Sequence, residues 1–178
     1  THCISSAASD VYKRQAATWQ RATGARTPLV SNQVEYSLLA RRAEIEVAPS
    51  AQHHGMGLLA WSALGRGVLA GRYRHGTPKD SRGGSDRLSW FVQPYLTRKS
   101  SAVVEAILKA ADGLGATIPQ IALAWVRDAP VVSSALVGPR TTAQLEELLG
   151  ADEVSLPKEI TSALDDITGG PNLAREEV

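Results

Sequence analysis

Residues 58–73 read LLAWSALGRGVLAGRY. The first four have the uniform apolarity of a buried strand, and the stretch then turns abruptly to small residues, glycines and arginines. A core strand that ends on Trp61 and Ser62, with Arg66, Arg72 and Arg74 close behind, poses the question of what those groups serve. The position matters because the end of a buried strand, followed by glycines that permit a tight turn, is where α/β proteins assemble their sites.

Composition narrows the answer. The chain has 178 residues, 43% of them hydrophobic and 21% charged, as expected of a soluble globular protein with one domain. A formal net charge of +1 supplies no excess basicity for a nucleic acid and no polybasic segment for an anionic bilayer. The longest apolar run, 58–64, is far short of the roughly 18 residues a membrane span needs. A single cysteine, Cys3, makes no internal disulfide, and His2, His53, His54 and His75 lack metal-ligand spacing. A cytoplasmic protein is expected.

The chain starts at Thr1 and has no methionine before Met56, which reads as a fragment. Residues 1–14, THCISSAASDVYKR, show neither a signal peptide's apolar stretch nor any periodicity. They are expected to be an unstructured leader, either translated vector sequence or a natural disordered arm, with the domain occupying 15–178.

From Gln15 onward strand and helix patterns alternate. Residues 16–24 read as the tail of a helix stopped by Gly24. In 32–39 Val34, Tyr36 and Leu38 alternate with Gln33, Glu35 and Ser37, a strand period. Residues 40–55 suggest a helix closing on Gly55, and 56–64 a second strand. Residues 65–99 form a long Gly-, Arg- and Asp-rich loop, a length usually functional or disordered. A helix over 100–115 should bury Val103, Val104, Ile107, Leu108, Ala111 and Leu114, and Thr117 with Gln120 has capping-box form at the start of the next. A third strand over 131–138, a helix from Thr141 and a last helix burying Ile160, Leu164 and Ile167 complete the pattern.

Strands separated by helices pair in parallel, which predicts an α/β protein. No G-x-G-x-x-G follows a strand, so a doubly wound dinucleotide fold is disfavoured. The better fit is the C-terminal part of a (β/α)8 TIM barrel: about three βα units plus extra helices, too few to close the barrel.

Several residues carry candidate chemistry. Gln33 and Glu35 on one strand face need either a ligand or network, or the solvent of a partly open strand end. Trp61 is either core or a stacking surface, and Ser62 follows it at the strand end. Gly138 and Arg140, before a helix start, are either an ordinary turn or an anion site. Arg66, Arg72, Arg74 and Arg82 are either loop cations for a ligand or solvated surface.

Taken together, NQVEYSLLARRAE, LLAWSALGRGVLAGRY and SSALVGPRTTAQLEELL resemble the aldo-keto reductases, particularly the branch with the β subunits of voltage-gated potassium channels. The resemblance spans residues 15–167 and implies an eight-stranded barrel that binds NADP(H) without a Rossmann fold. It implies that Trp61 stacks on the nicotinamide and that Gln33 bonds its carboxamide. Ser62 and Leu64, with Gly65 and Arg66 beside them, would approach the pyrophosphate, and Arg72 and Arg82 would clamp the cofactor from the loop. Gly138 and Arg140 would flank the 2′-phosphate, Gln144 and Glu147 would hold the adenine, and Tyr36 would pack beside the cofactor. Two departures stand out: Leu148 occupies a position where asparagine is common, and Ala63 one where proline is usual. The family's catalytic tyrosine, lysine, aspartate and histidine belong upstream of Gln15. The expected function is therefore NADPH-dependent reduction of an aldehyde or ketone, with this chain supplying the cofactor-binding part and inactive by itself. A non-catalytic NADP(H)-sensing module and a site for a phosphorylated metabolite are the alternatives.

Overall fold

A computed structural model describes residues 4–24 and 28–169. Its centre is a parallel sheet of β1 (Ser31–Glu35), β2 (Gly57–Trp61) and β3 (Val132–Ala135), in that order. The expected α/β class with parallel strands is therefore observed. Parallel neighbours need long crossovers, and helices supply them. After β1 comes a 3-10 turn, Arg42–Glu44, and α2 (Val47–His54). After β2 come a 3-10 segment Gly65–Ala70, α3 (Ser89–Val92), α4 (Arg98–Leu114) and α5 (Ile118–Arg127). After β3 come α6 (Thr142–Leu149) and α7 (Lys158–Thr168).

Central strand β2 shows how the sheet is covered. Leu58 and Ala60 are fully buried, whereas Leu59 and Trp61, on the other side of the pleat, are half-buried. Gln33 pairs in register with Leu59 and is exposed, as is Ser134. One face thus meets the helices and the other carries polar side chains. Helix α5 fills the covered side: Ile121, Ala122, Ala124 and Val126 are fully buried, which accounts for its near-continuous apolar sequence. The expected capping box is present, with Gln120 Oε1 accepting from the Thr117 N–H at 2.9 Å.

Several expectations are corrected. The leader expected to lack structure enters α1 (Ile4–Thr23), which runs through residues 4–14. This helix is held by docking: Ala17 is buried with Ala51, Met56 and Leu58, and the Lys13 ammonium donates to Asn32 Oδ1. Strand β1 stops at Glu35, because Ser37 and Ala40 exchange backbone hydrogen bonds in a tight turn, although Tyr36 and Leu38 are buried as expected. Residues 40–55 divide into two helices, since Pro49 is accepted in the first turn of α2 but not within one continuous helix. Residues 65–99 contain short helices rather than an unbroken loop. In the last helix Leu164 is buried and Ile160 packs on the core, but Ile167 is 37% exposed.

Beyond β1 the fold is anchored by a buried polar network. Arg41 bonds both carboxylate oxygens of Glu44 at 2.8 and 2.9 Å, Thr168 Oγ1 at 2.8 Å and Asp165 at 2.9 Å. Its guanidinium lies 5.0 Å from the ring centre of Trp125, which stacks on Tyr36 and donates to Asp165. The Tyr36 hydroxyl donates to Glu44 at 2.7 Å, and burial first, then the Glu44 charge, hold it protonated well above the usual phenol range. Tyr36 is therefore a core residue joining β1 to α5 and α7, not the cofactor-side packing group the resemblance implied.

Arg41→Ala leaves Glu44 and Asp165 without their cation and should destabilise the fold by about 3 kcal/mol, read from urea denaturation. A second expectation concerns His54, whose Nδ1 is buried without a hydrogen-bond partner among the described residues. Desolvation, then the charges of His53, Arg21 and Arg14, lower its affinity for a proton below that of an ordinary histidine at 6.5. A depressed folded-state pKa means that stability is complete above pH 6.5 and is lost as pH falls below it. The melting temperature between pH 7.5 and 5.5 should accordingly fall more in the wild type than in His54→Gln, at pH values set about one unit to either side of an ordinary histidine.

Candidate functional site

Where β2 ends, the backbone curls sharply. Ser62, Gly65, Arg66, Gly67 and Gly71 all have positive φ, between 53° and 95°. Glycine adopts this region freely, while Ser62 and Arg66 are strained there by order 1 kcal/mol each. Local bonds hold the strain in place. Ser62 Oγ accepts from the Arg66 N–H at 3.1 Å, and the Gly65 N–H donates to the Ser62 carbonyl at 2.7 Å. At Gly65, where φ is also positive, a Cβ would come 3.0 Å from Leu39 Cδ1 and 3.2 Å from Leu69 Cγ, a tight approach that favours glycine in the turn.

The curl leaves a cleft of about 620 Å³ between the carboxyl ends of β2 and β3. A cleft at the carboxyl ends of parallel strands is the expected place for a ligand in an α/β fold. Trp61, Ser62, Leu64 and Arg66 line it from β2 and its turn; Arg72 and Arg82 come from the following loop. Gly138, Arg140, Gln144 and Glu147 line it from β3 and α6. Ten of the twelve expected site residues therefore meet at one cleft. Gly65 is buried beneath the turn and shapes it rather than facing the space. Gln33 lies outside the lining, exposed on the open face of the sheet, with no side-chain hydrogen-bond partner among the described residues.

Two groups of lining residues differ chemically. In one, Trp61 and Phe91 face Arg66, whose charge is paired with Glu35 at 3.0 Å. Tyr95 completes this cluster by donating to Glu35 Oε1 at 2.9 Å; burial, and next the Glu35 charge, push its hydroxyl above the usual range. The other comprises Arg72, Arg82 and Arg140. Arg72 pairs with Asp80 at 2.9 Å in a solvent-exposed contact, and Arg140 Nη2 donates to the Asp80 carbonyl at 3.3 Å. Arg82 has no ion pair among the described residues. Arg74 is directed elsewhere, onto Glu105 at 2.8 Å.

Local structure sets Arg140. Thr141 caps α6 by accepting from the Gln144 N–H at 3.2 Å, and the Gln144 side chain accepts from the Arg140 N–H at 2.8 Å. Gln144 thus reaches one residue further back than a capping box would take it. A Cβ on Gly138 would meet nothing within 4 Å, so the protein's own packing does not demand a glycine there. Phe91 and Asp80 were missed by sequence reasoning. Asp80 carried a faint signal, an acid within an arginine-rich loop, whereas Phe91 carried none.

Among the described residues no group of three or more His, Cys, Asp and Glu side chains could hold a metal ion. No helix among them is long and apolar enough to cross a membrane.

Comparison with known proteins gives two findings. The model of the aldo/keto reductase family matches residues 7–168. The uncharacterized oxidoreductase YrpG of Bacillus subtilis (strain 168) is 38% identical over 143 residues, which is 80% of this chain and 41% of that protein. The chain therefore spans about two fifths of the length of that relative.

Asp80 pairs with Arg72 of the cationic group, so Asp80→Asn should raise affinity for inorganic pyrophosphate by roughly threefold at low ionic strength, measured by calorimetry, the scale of one exposed ion pair. Unchanged affinity would mean that Arg72 does not receive the anion.

Proposed function

Because the chain belongs to the aldo/keto reductase family, we propose that it is the C-terminal, cofactor-binding part of an NADPH-dependent reductase of aldehydes or ketones. It would contribute the last βα units of an incomplete TIM barrel. The observation that carries this reading is that the Trp61 indole and the Arg140 guanidinium share one cleft at the carboxyl ends of neighbouring parallel strands. That combination suits a ligand with a flat ring at one end and a phosphate at the other. The cleft volume lies within the usual range for small-molecule sites.

The residues present fit NADP(H). Trp61 offers a face for the nicotinamide, and the exposed carboxamide of Gln33, two residues before Glu35 on the same strand face, offers both a donor and an acceptor. Ser62 and Leu64 border the space for a pyrophosphate, with Arg72 and Arg82 supplying cations from the loop. Arg140 beside Gly138 suits a 2′-phosphate: the fork of donors matches phosphate oxygens, and the space above Gly138 is open. Gln144 and Glu147 border the adenosine end.

When bound, the reduced nicotinamide supplies the hydride for a carbonyl carbon. The part of this chain would be to hold that ring against Trp61 and fix the phosphates at the cationic group, so that hydride transfer occurs from one defined geometry. Protonation of the carbonyl oxygen would fall to groups outside this chain. Tyr95, the tyrosine beside Arg66, is tied to Glu35 and raised in pKa, which makes it a poor acid. The same observation favours a second reading, a non-catalytic NADP(H)-sensing module in the cytoplasm. In either case the ligands are a nucleotide and, for the complete enzyme, a small carbonyl compound.

The two ends of the ligand are separable by titration. Arg140→Met should weaken NADP⁺ binding by roughly tenfold, the loss of a charge-assisted contact, while leaving NAD⁺ within about twofold. Trp61→Ala should weaken both dinucleotides by roughly tenfold through lost stacking. Equal loss of NADP⁺ and NAD⁺ in Arg140→Met would remove the 2′-phosphate assignment.

A further inference from the structure

Arg66 differs from the other cleft arginines in what surrounds its charge. Its Nε and Nη2 bond the Glu35 carboxylate at 3.0–3.2 Å, and Nη1 donates to the Phe91 carbonyl at 2.7 Å. The guanidinium carbon lies 3.9 Å from the ring centre of Phe91, 4.7 Å from that of Tyr95 and 6.0 Å from that of Trp61. Both charged side chains are well covered, Arg66 at 15% and Glu35 at 24% exposed. By contrast, Arg72 and Asp80 pair at 34% and 77% exposure, where solvent competes and an arriving anion can displace the carboxylate.

Glu35 stands opposite Trp61 in the strand register; it is not itself a lining residue of the cleft and acts there through Arg66, which is. An anion arriving beside Trp61 meets a cation already paired, and a carboxylate of its own sign. Displacing Glu35 would also remove the acceptor of the Tyr95 hydroxyl. Resting on the dinucleotide reading only for what the cleft holds, we propose that Glu35 is a specificity-determining residue: a built-in counter-ion to Arg66 that makes the aromatic part of the cleft select uncharged groups. That part then takes a neutral carboxamide and an uncharged carbonyl substrate, and discriminates against carboxylate- or phosphate-bearing ones. Arg72, Arg82 and Arg140 keep the rest of the lining cationic, so the neutral and the anionic parts of a ligand are met by different groups. This is specificity by an unfavourable charge against the wrong ligand.

A matched pair of rings tests it, nicotinamide and nicotinate, which differ in charge but hardly in shape. Their affinities for the full chain are compared by saturation-transfer NMR. The wild type should prefer nicotinamide. Glu35→Gln, which keeps the size and an acceptor for Tyr95 but leaves Arg66 uncompensated, should shift the ratio toward nicotinate by roughly tenfold, one charge-assisted contact. Adding Arg66→Met to that variant should abolish the shift. Arg66→Met alone, leaving the Glu35 charge bare, should move the ratio further toward nicotinamide and gives a second reading of opposite sign. General loosening of the cleft would weaken both rings together and leave the ratio unmoved. An unchanged ratio in Glu35→Gln, undetectable nicotinate binding to it, or a shift that survives the loss of Arg66 overturns the proposal. NADP⁺ titration of the wild type separates the two readings, because absence of NADP⁺ binding defeats the dinucleotide assignment while the ratio of the rings still reports on Glu35.

Discussion

The left-handed turn after β2 is the constraint on which the rest of the site depends. Within ten residues, five positive-φ positions reverse the chain, so that Val68 and Leu69 return to the core at 4% and 0% exposure. Trp61 and Ser62 are left at the rim of the cleft. Because Ser62 and Arg66 are strained without glycine's freedom, the turn persists only if its surroundings over-determine it. The Arg66 side chain helps to do so by joining three pieces: the end of β1 through Glu35, the short helix α3 through the Phe91 carbonyl, and the next segment through its stack near Tyr95. One residue therefore binds the strained backbone to the floor and wall of the cleft.

Much of the fold was legible because it rests on local pattern. The apolar run of β2, the stripe of α4 and the Thr117–Gln120 box each report a burial or a cap formed within a few residues. What was not legible depends on partners distant in sequence. Only the tail of helix α1 was legible; its first part, through residue 14, has no periodicity to announce it, and the helix is held by Ala17 and Lys13 against residues elsewhere in the chain. The end of β1 at Glu35 is decided by a turn through Ser37 and Ala40, although the alternation of apolar residues continues to Leu38. At the site, strand-end position identified Trp61 and helix-start position identified Arg140. The partners of Glu35 lie 31 and 60 residues away, and no spacing rule reaches that far. Gly65 shows a further limit: a glycine next to a site is as readily a steric need of the turn as a contact to a ligand.

The uneven covering of the sheet bears on how the chain can act. Parallel sheets are ordinarily buried on both faces, yet Gln33 and Ser134 stand exposed on the side opposite the α5 helix. Polar side chains on that side keep it compatible with water and also make it a surface able to hydrogen-bond a ligand. The cleft meets this face at the carboxyl ends of β2 and β3, so the group nearest Trp61 adjoins both the paired charge of Arg66 and the open side of the strands.

The molecule builds the same chemical device twice, and the comparison separates structure from function. Arg41 bonds Glu44, which accepts from Tyr36, with the guanidinium near Trp125; Arg66 bonds Glu35, which accepts from Tyr95, with the guanidinium near Phe91. In both, an aromatic residue covers a paired charge and a tyrosine hydroxyl satisfies the carboxylate. The first ties β1 to α5 and α7 and contributes no residue to the cleft lining. The second uses equivalent bonds at the end of two strands, with Arg66 on a cleft wall. A cluster of this kind is therefore no sign of a site by its composition or by raised tyrosine pKa values, which both share. Position decides: the same neutralised arginine is a rivet inside the protein and a filter for charge at the mouth of its sheet.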